Sequence, residues 1–135
     1  MEYINEVEKA RRIGEFLYQG LLMGYSYSEG YDLFLNSEQG YGIMHNDYTY
    51  VIHHTGRTSA IKANKIYGYK YKKTWKGKAD GDLCMLLAEF IQLCHNFYKI
   101  PYKKIFTKVS VNSFMEKFGF VLGNYDHKLV KEYIL

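Results

Sequence analysis

The sequence predicts an α/β domain, a mixed and mostly antiparallel sheet flanked by helices, forming a single unit over residues 1–135. Three observations carry that expectation. An apolar stripe at helical spacing opens the chain, a succession of aromatic and β-branched runs fills Tyr41 to Tyr71, and strict helical period returns from Gly81. With 47% hydrophobic residues in 135, the chain can bury one real core and has no room for a second domain.

The first helix is predicted from Ile4, Val7, Ile13, Phe16, Leu17, Leu21 and Leu22, spaced three to four apart, and Gly24 is placed to end it. A second, short helix is expected at Ser28 to Leu35, capped by Ser28 and broken by "NSEQG". Tyr41–His45 and Tyr48–His54 read as antiparallel strands about an Asn46-Asp47 turn, and "ANKIYGYKYK" as a third strand with Tyr67, Tyr69 and Tyr71 on one face. From Gly81, the residues Leu83, Leu86, Leu87, Phe90, Ile91 and Cys94 follow i, i+3, i+4, i+7, i+8 and i+11, the strongest helical signal in the chain. "KIFTKVSV" alternates as a buried strand after Pro101, Asn112–Phe118 forms a short helix, and "KLVKEYIL" closes as a last strand.

Charge is unevenly spread. Arg57 to Lys78 carries Arg57, Lys62, Lys65, Lys70, Lys72, Lys73, Lys76 and Lys78 without one acid, while residues 1–47 lean acidic, so the net +4 describes a local basic surface rather than a uniform one. An anionic ligand suits that surface; lysines guarding a strand edge are the plainer alternative. "MEYINEVEKARR" lacks the basic flank and apolar run of a secretory signal, and no eighteen-residue apolar stretch exists, so a cytoplasmic location and no membrane partner are expected. Cys84 and Cys94, ten residues apart on one helix, lie about 15 Å apart and cannot bridge within it. Cys94 falls on the apolar stripe as a small hydrophobe. His45, His95 and His127 lack metal-ligand spacing, so no metal is expected, and no serine stands in a nucleophile-elbow sequence.

Two short motifs occur in order. Lys76-Gly77-Lys78-Ala79-Asp80-Gly81 lies between a strand-like run and the long helix, and "VNSFMEKFGF", Val111 to Phe120, follows. Together with the predicted element order, over roughly Tyr41 to Leu135, they resemble the GCN5-related N-acetyltransferase family. The resemblance implies acetyl-CoA as cosubstrate and an amine as acceptor. The amides of Lys78, Ala79, Asp80 and Gly81 would hold the pyrophosphate at a helix start, with Gly77 in the same cofactor-binding turn. Lys72, Lys73, Lys76 and Lys78 would pair with the phosphates, and Tyr71 and Asn112 would flank the pantetheine arm. Lys76, Ala79 and Asp80 depart from the family's R/Q-x-x-G-x-G/A pattern, Met115 stands at the position of its tyrosine acid, and no first strand precedes the N-terminal helix.

Acetyl transfer needs a base, for which the imidazole of His53 or His54 is the candidate. Adjacent strand residues face opposite ways, so at most one of the two faces a cleft. Tyr69, with Tyr67 and Tyr125 as alternatives, is the candidate proton donor. Two other readings stay open. A non-catalytic protein of the same fold could bind or assemble through aromatic and basic surfaces, as a homo-oligomer or with a protein partner. Single-stranded nucleic-acid binding could use the lysines interleaved with Tyr67, Tyr69, Tyr71 and Trp75. Nucleic acid is the less economical partner as long as the Lys76–Gly81 turn is a phosphate cradle.

Overall fold

Side-chain caps set most of the architecture. The computed structural model describes residues 5–135; Ile4 and the opening residues of the expected signal-free N-terminus lie outside them. Asn5 accepts from the Glu8 amide and starts α1 (Glu6–Leu22), Ser26 starts α2 (Tyr27–Asn36) and Ser37 starts α3 (Glu38–Met44). Thr55, Asp80 and Ser110 do the same for α4 (Gly56–Tyr67), α5 (Gly81–Asn96) and α6 (Val111–Phe118). A short α7 (Asp126–Leu129) runs into a π-helical turn, Val130–Ile134. Ser26, not Ser28, caps α2, so that helix starts earlier than its sequence suggests. Gly24, in the left-handed region at φ 99°, follows the end of α1 as expected.

The predicted sheet is overturned: among the described residues there is no strand. Tyr41–His45 belongs to α3 and its C-cap, and Tyr48–His54 to a π-helical turn, Thr49–His53. The third expected strand is the end of α4 and a 3-10 turn, Gly68–Lys70. Of the expected strand 104–111, residues 104–110 are a 3-10 end and irregular chain and Val111 opens α6, while the C-terminal strand is helical. The mixed sheet that the resemblance requires is therefore absent, and the acetyltransferase fold falls with it.

The physical reason lies in which side chains do the burying. α4 packs on α1 through Gly56, Ser59, Ala60 and Ala63, small residues at helical spacing that carry little hydropathy, while its large residue Ile66 is exposed. Tyrosine alternation at 67, 69 and 71 then looked like a pleat although Tyr69 is 82% exposed. The Asn46-Asp47 reversal is real, with Asn46 at φ 60°, but it joins two helical turns.

α1 lies at the centre, packed against α5, α4 and α2. Its Ile13, Phe16 and Leu17 meet Phe34 of α2 and the stripe Leu87, Phe90 and Ile91 of α5, all buried. Phe16 and Phe34 meet edge to face at 5.4 Å, and Phe90 stacks on Phe114 of α6 at 4.8 Å. A polar joint fixes the far side. Arg12 donates to the Val51 carbonyl at 2.7 Å and to Glu15 at 2.8 Å, and Glu15 accepts from the Gly56 amide at 2.8 Å. No helix among the described residues is long and apolar enough to cross a membrane.

Candidate functional site

Residues 71–80 form an irregular strap between α4 and α5. At its start the Tyr71 ring meets Tyr25 edge-on at 6.1 Å, with the Asp32 carboxylate beside its hydroxyl. At its middle the Trp75 amide donates to the Gly24 carbonyl at 2.9 Å and the indole meets Tyr27 at 5.3 Å. Gly77 passes under the indole so closely that a β-carbon there would lie 2.8 Å from Trp75 Cζ2. The Trp75 Nε1–H is shielded from solvent and has no acceptor among the described residues.

Between strap and α6 opens a cleft of about 700 Å³, lined by Tyr27, Trp75 and Phe120, with Leu83 and Met115 beneath and Thr74, Lys78 and Glu116 at the edge. Phe120 is 87% exposed. Burial, and after it the neighbouring Cys84 and Asp80, pushes the Tyr27 hydroxyl up to about 12, so this wall stays neutral. The cleft can take a flat apolar group with polar atoms at its rim.

Gly77, Lys78, Asp80 and Asn112, taken from the sequence as cofactor-binding, all line this cleft. Two of them are already engaged. Asp80 Oδ1 accepts from the amides of Asp82 and Leu83 at 3.0 and 3.2 Å, so the helix start holds the chain's own carboxylate. Asn112 accepts from the Ser28 amide at 2.8 Å and donates to Ser26 at 3.2 Å, while Ser28 accepts from the Asn112 amide. It locks α6 onto α2. Gly81 faces the Tyr18 ring with room for a β-carbon at 3.7 Å, so no close backbone approach explains that glycine. Ala79 packs against the core, and Lys72 and Lys76 are exposed. Lys73 Nζ lies 5.7 Å from the Tyr25 ring centroid.

The residues read as acid and base lie elsewhere. His53 packs against Tyr48 at 4.7 Å, and His54 donates from Nδ1 to the Thr49 carbonyl at 2.8 Å and accepts from Lys62. Neither histidine lines the cleft, nor does Tyr69. Tyr67 is half-buried at the end of α4 and Tyr125 lines a separate hollow with His127. Much of the tyrosine abundance is structural, because Tyr25, Tyr27, Tyr31 and Tyr102 are buried.

All eight cations from Arg57 to Lys78 are exposed, and none has an ion-pair partner among the described residues. The ion pairs present join Arg11 and Arg12 to Glu8 and Glu15 within α1. Lys70 lies over the Tyr67 and Tyr69 rings at 5.6 and 5.7 Å.

A second cleft, also of about 700 Å³, lies at the other end of α2 and brings together His45 and His95, fifty residues apart in sequence, with Asp32, Tyr41, Tyr102 and Lys103. No spacing in the sequence joins these histidines; one is the C-cap of α3 and the other lies in the C-terminal turn of α5. Among the described residues no group of three His, Cys, Asp or Glu side chains is arranged to hold a metal ion. Cys84 and Cys94 are buried, and burial pushes both thiols up to about 12. No family profile, curated protein or solved structure matches the chain.

Proposed function

We propose that the protein binds single-stranded nucleic acid, with the strap lysines on the phosphates and the Tyr27–Trp75–Phe120 cleft taking a base. The observation that carries this reading is the run of eight exposed, unpaired cations leading to an aromatic cleft. Lysine as a compact point charge suits a flexible backbone whose phosphates shift from site to site. An indole and two further rings suit any base, because every base has a π-face. The reading gains over acetyl transfer because no strand forms among the described residues and Asp80 fills the helix start that a pyrophosphate would occupy.

Trp75 is the only tryptophan, so intrinsic fluorescence reports on the cleft directly. Titration with oligo-U or oligo-dT should quench it saturably. If Lys72, Lys76 and Lys78 each meet a phosphate, affinity should fall roughly twentyfold between 50 and 200 mM salt. Exchanging Lys76 and Lys78 for glutamate should flatten that dependence. Quenching by acetyl-CoA with none by either oligonucleotide would overturn the proposal and restore the acyl carrier as ligand.

A further inference from the structure

The second cleft places two histidines in one hollow with one carboxylate, Asp32, and one ammonium, Lys103. The His95 Nδ1–H donates to the Ile100 carbonyl at 3.0 Å, which leaves Nε2 as the proton-accepting atom of the neutral ring. Its ring is stacked on Tyr102 at 3.8 Å, and Tyr102 in turn donates to Gln92 at 2.6 Å, so the imidazole is held on two sides. His45 is exposed and stacks on Tyr41 at 4.0 Å. Asp32 is the carboxylate lining the cleft, and it also neighbours the Tyr71 hydroxyl. Around these groups Lys99, Lys103 and Lys104 are exposed and no acid interrupts residues 99–108. Behind the wall, buried Lys9 donates to the Met44 carbonyl at 3.2 Å and lies 5.5 Å from the Tyr102 ring.

Tyr71, where the strap begins, adjoins Asp32, which also lines this cleft. A strand following the strap away from Trp75 is therefore led toward the histidines. We infer that this cleft cleaves single-stranded RNA by transesterification, an inference that rests on the nucleic-acid reading above. His95 Nε2 takes the proton of a ribose 2′-hydroxyl, and O2′ attacks the adjacent phosphorus. The P–O5′ bond breaks, and the protonated His45 gives its proton to the leaving 5′-oxygen. The products are a 2′,3′-cyclic phosphate and a 5′-hydroxyl end, with no oxidant, reductant or further reactant consumed. Lys103 offsets the charge gathered on the phosphorus oxygens. Proton exchange with water resets the pair.

The test uses the full chain, 5′-labelled oligo-U and oligo-dT, and buffer containing EDTA. Oligo-U should be cut to ends carrying 2′,3′-cyclic phosphate, and oligo-dT, which lacks the nucleophile, should stay intact. His45→Ala and His95→Ala should each slow cleavage by about a hundredfold or more. Quenching of Trp75 by oligo-U should stay within about twofold of the parent in both, since neither side chain lines the Trp75 cleft. Added imidazole should restore part of the lost rate. His95→Gln keeps a donor for Ile100 and covers the case in which the alanine variant unfolds. Oligo-U bound but left whole, cleavage abolished by EDTA, or undiminished cleavage by the histidine variants overturns this inference alone. If neither oligonucleotide binds, the binding reading falls as well.

Discussion

Gly77 shows how one missing side chain shapes a site. Its backbone runs beneath the indole, and a β-carbon would approach Trp75 Cζ2 to 2.8 Å and Cε2 to 3.1 Å. Relief must come from the ring or the strap, because both are only partly anchored by the core. Gly77→Ala should therefore shift Trp75 emission and weaken oligonucleotide binding about tenfold, while costing under about 1 kcal/mol of stability. Unchanged emission and affinity would show that the indole tolerates the displacement. The neighbouring Asp80 illustrates the opposite case, a side chain whose meaning depends on where it turns. In sequence it is an acid in a glycine-bearing turn; in space it is the N-cap of α5.

Helix packing depends on the same economy of side chains. α4 crosses α1 where Gly56 meets backbone: a β-carbon there would lie 2.1 Å from the Arg12 carbonyl oxygen and 2.7 Å from the Phe16 amide nitrogen. Gly56→Ala must push α4 away and stretch the Gly56–Glu15 bond, so a loss of about 2–3 kcal/mol in urea unfolding is expected. A loss below about 0.5 kcal/mol would mean that the crossing is looser than the geometry shows. This crossing also explains what the sequence revealed. α1 and α5 were legible because large apolar residues recur on one face, and α2 and α6 because serine or asparagine stood near their starts. α4 was not, because Gly56, Ser59, Ala60 and Ala63 write its buried face in small letters. β-branched and aromatic residues at 48–54 are accommodated by a π-helical turn tied down by Arg12, a tertiary contact no local pattern announces. Gly77, Lys78, Asp80 and Asn112, read from sequence as cofactor-binding residues, share the lining of one cleft, while Tyr27 and Phe120, which line it with Trp75, come from distant elements that no local pattern connects. That His45 and His95 line one cleft depends on the tertiary arrangement and has no local signature at all.

Across the molecule, burial of ionisable groups sets the response to alkali. Cys84 and Cys94 are raised to about 12 by burial, and Tyr31, buried and donating to the Tyr102 carbonyl at 2.6 Å, is raised further. The folded chain keeps these protons where the unfolded chain has released them. Their contribution is thus intact below the unfolded thiol value of about 8.5 and declines as pH rises toward 12, by about 1.4 kcal/mol per pH unit for each group ionised only on unfolding. The urea midpoint should fall steadily from pH 8.5 to 10.5, and Cys94→Ala should make that fall shallower. A midpoint that holds constant over the window contradicts the burial of these thiols.

The strap joins α4 to α5 as helix-free peptide in which Lys72, Lys73, Lys76 and Lys78 are all exposed. That makes it the natural point of entry for a lysine-directed protease. A polyanion seated along it would shield those bonds, so occupancy of the basic surface and survival of the backbone are linked through the same ten residues.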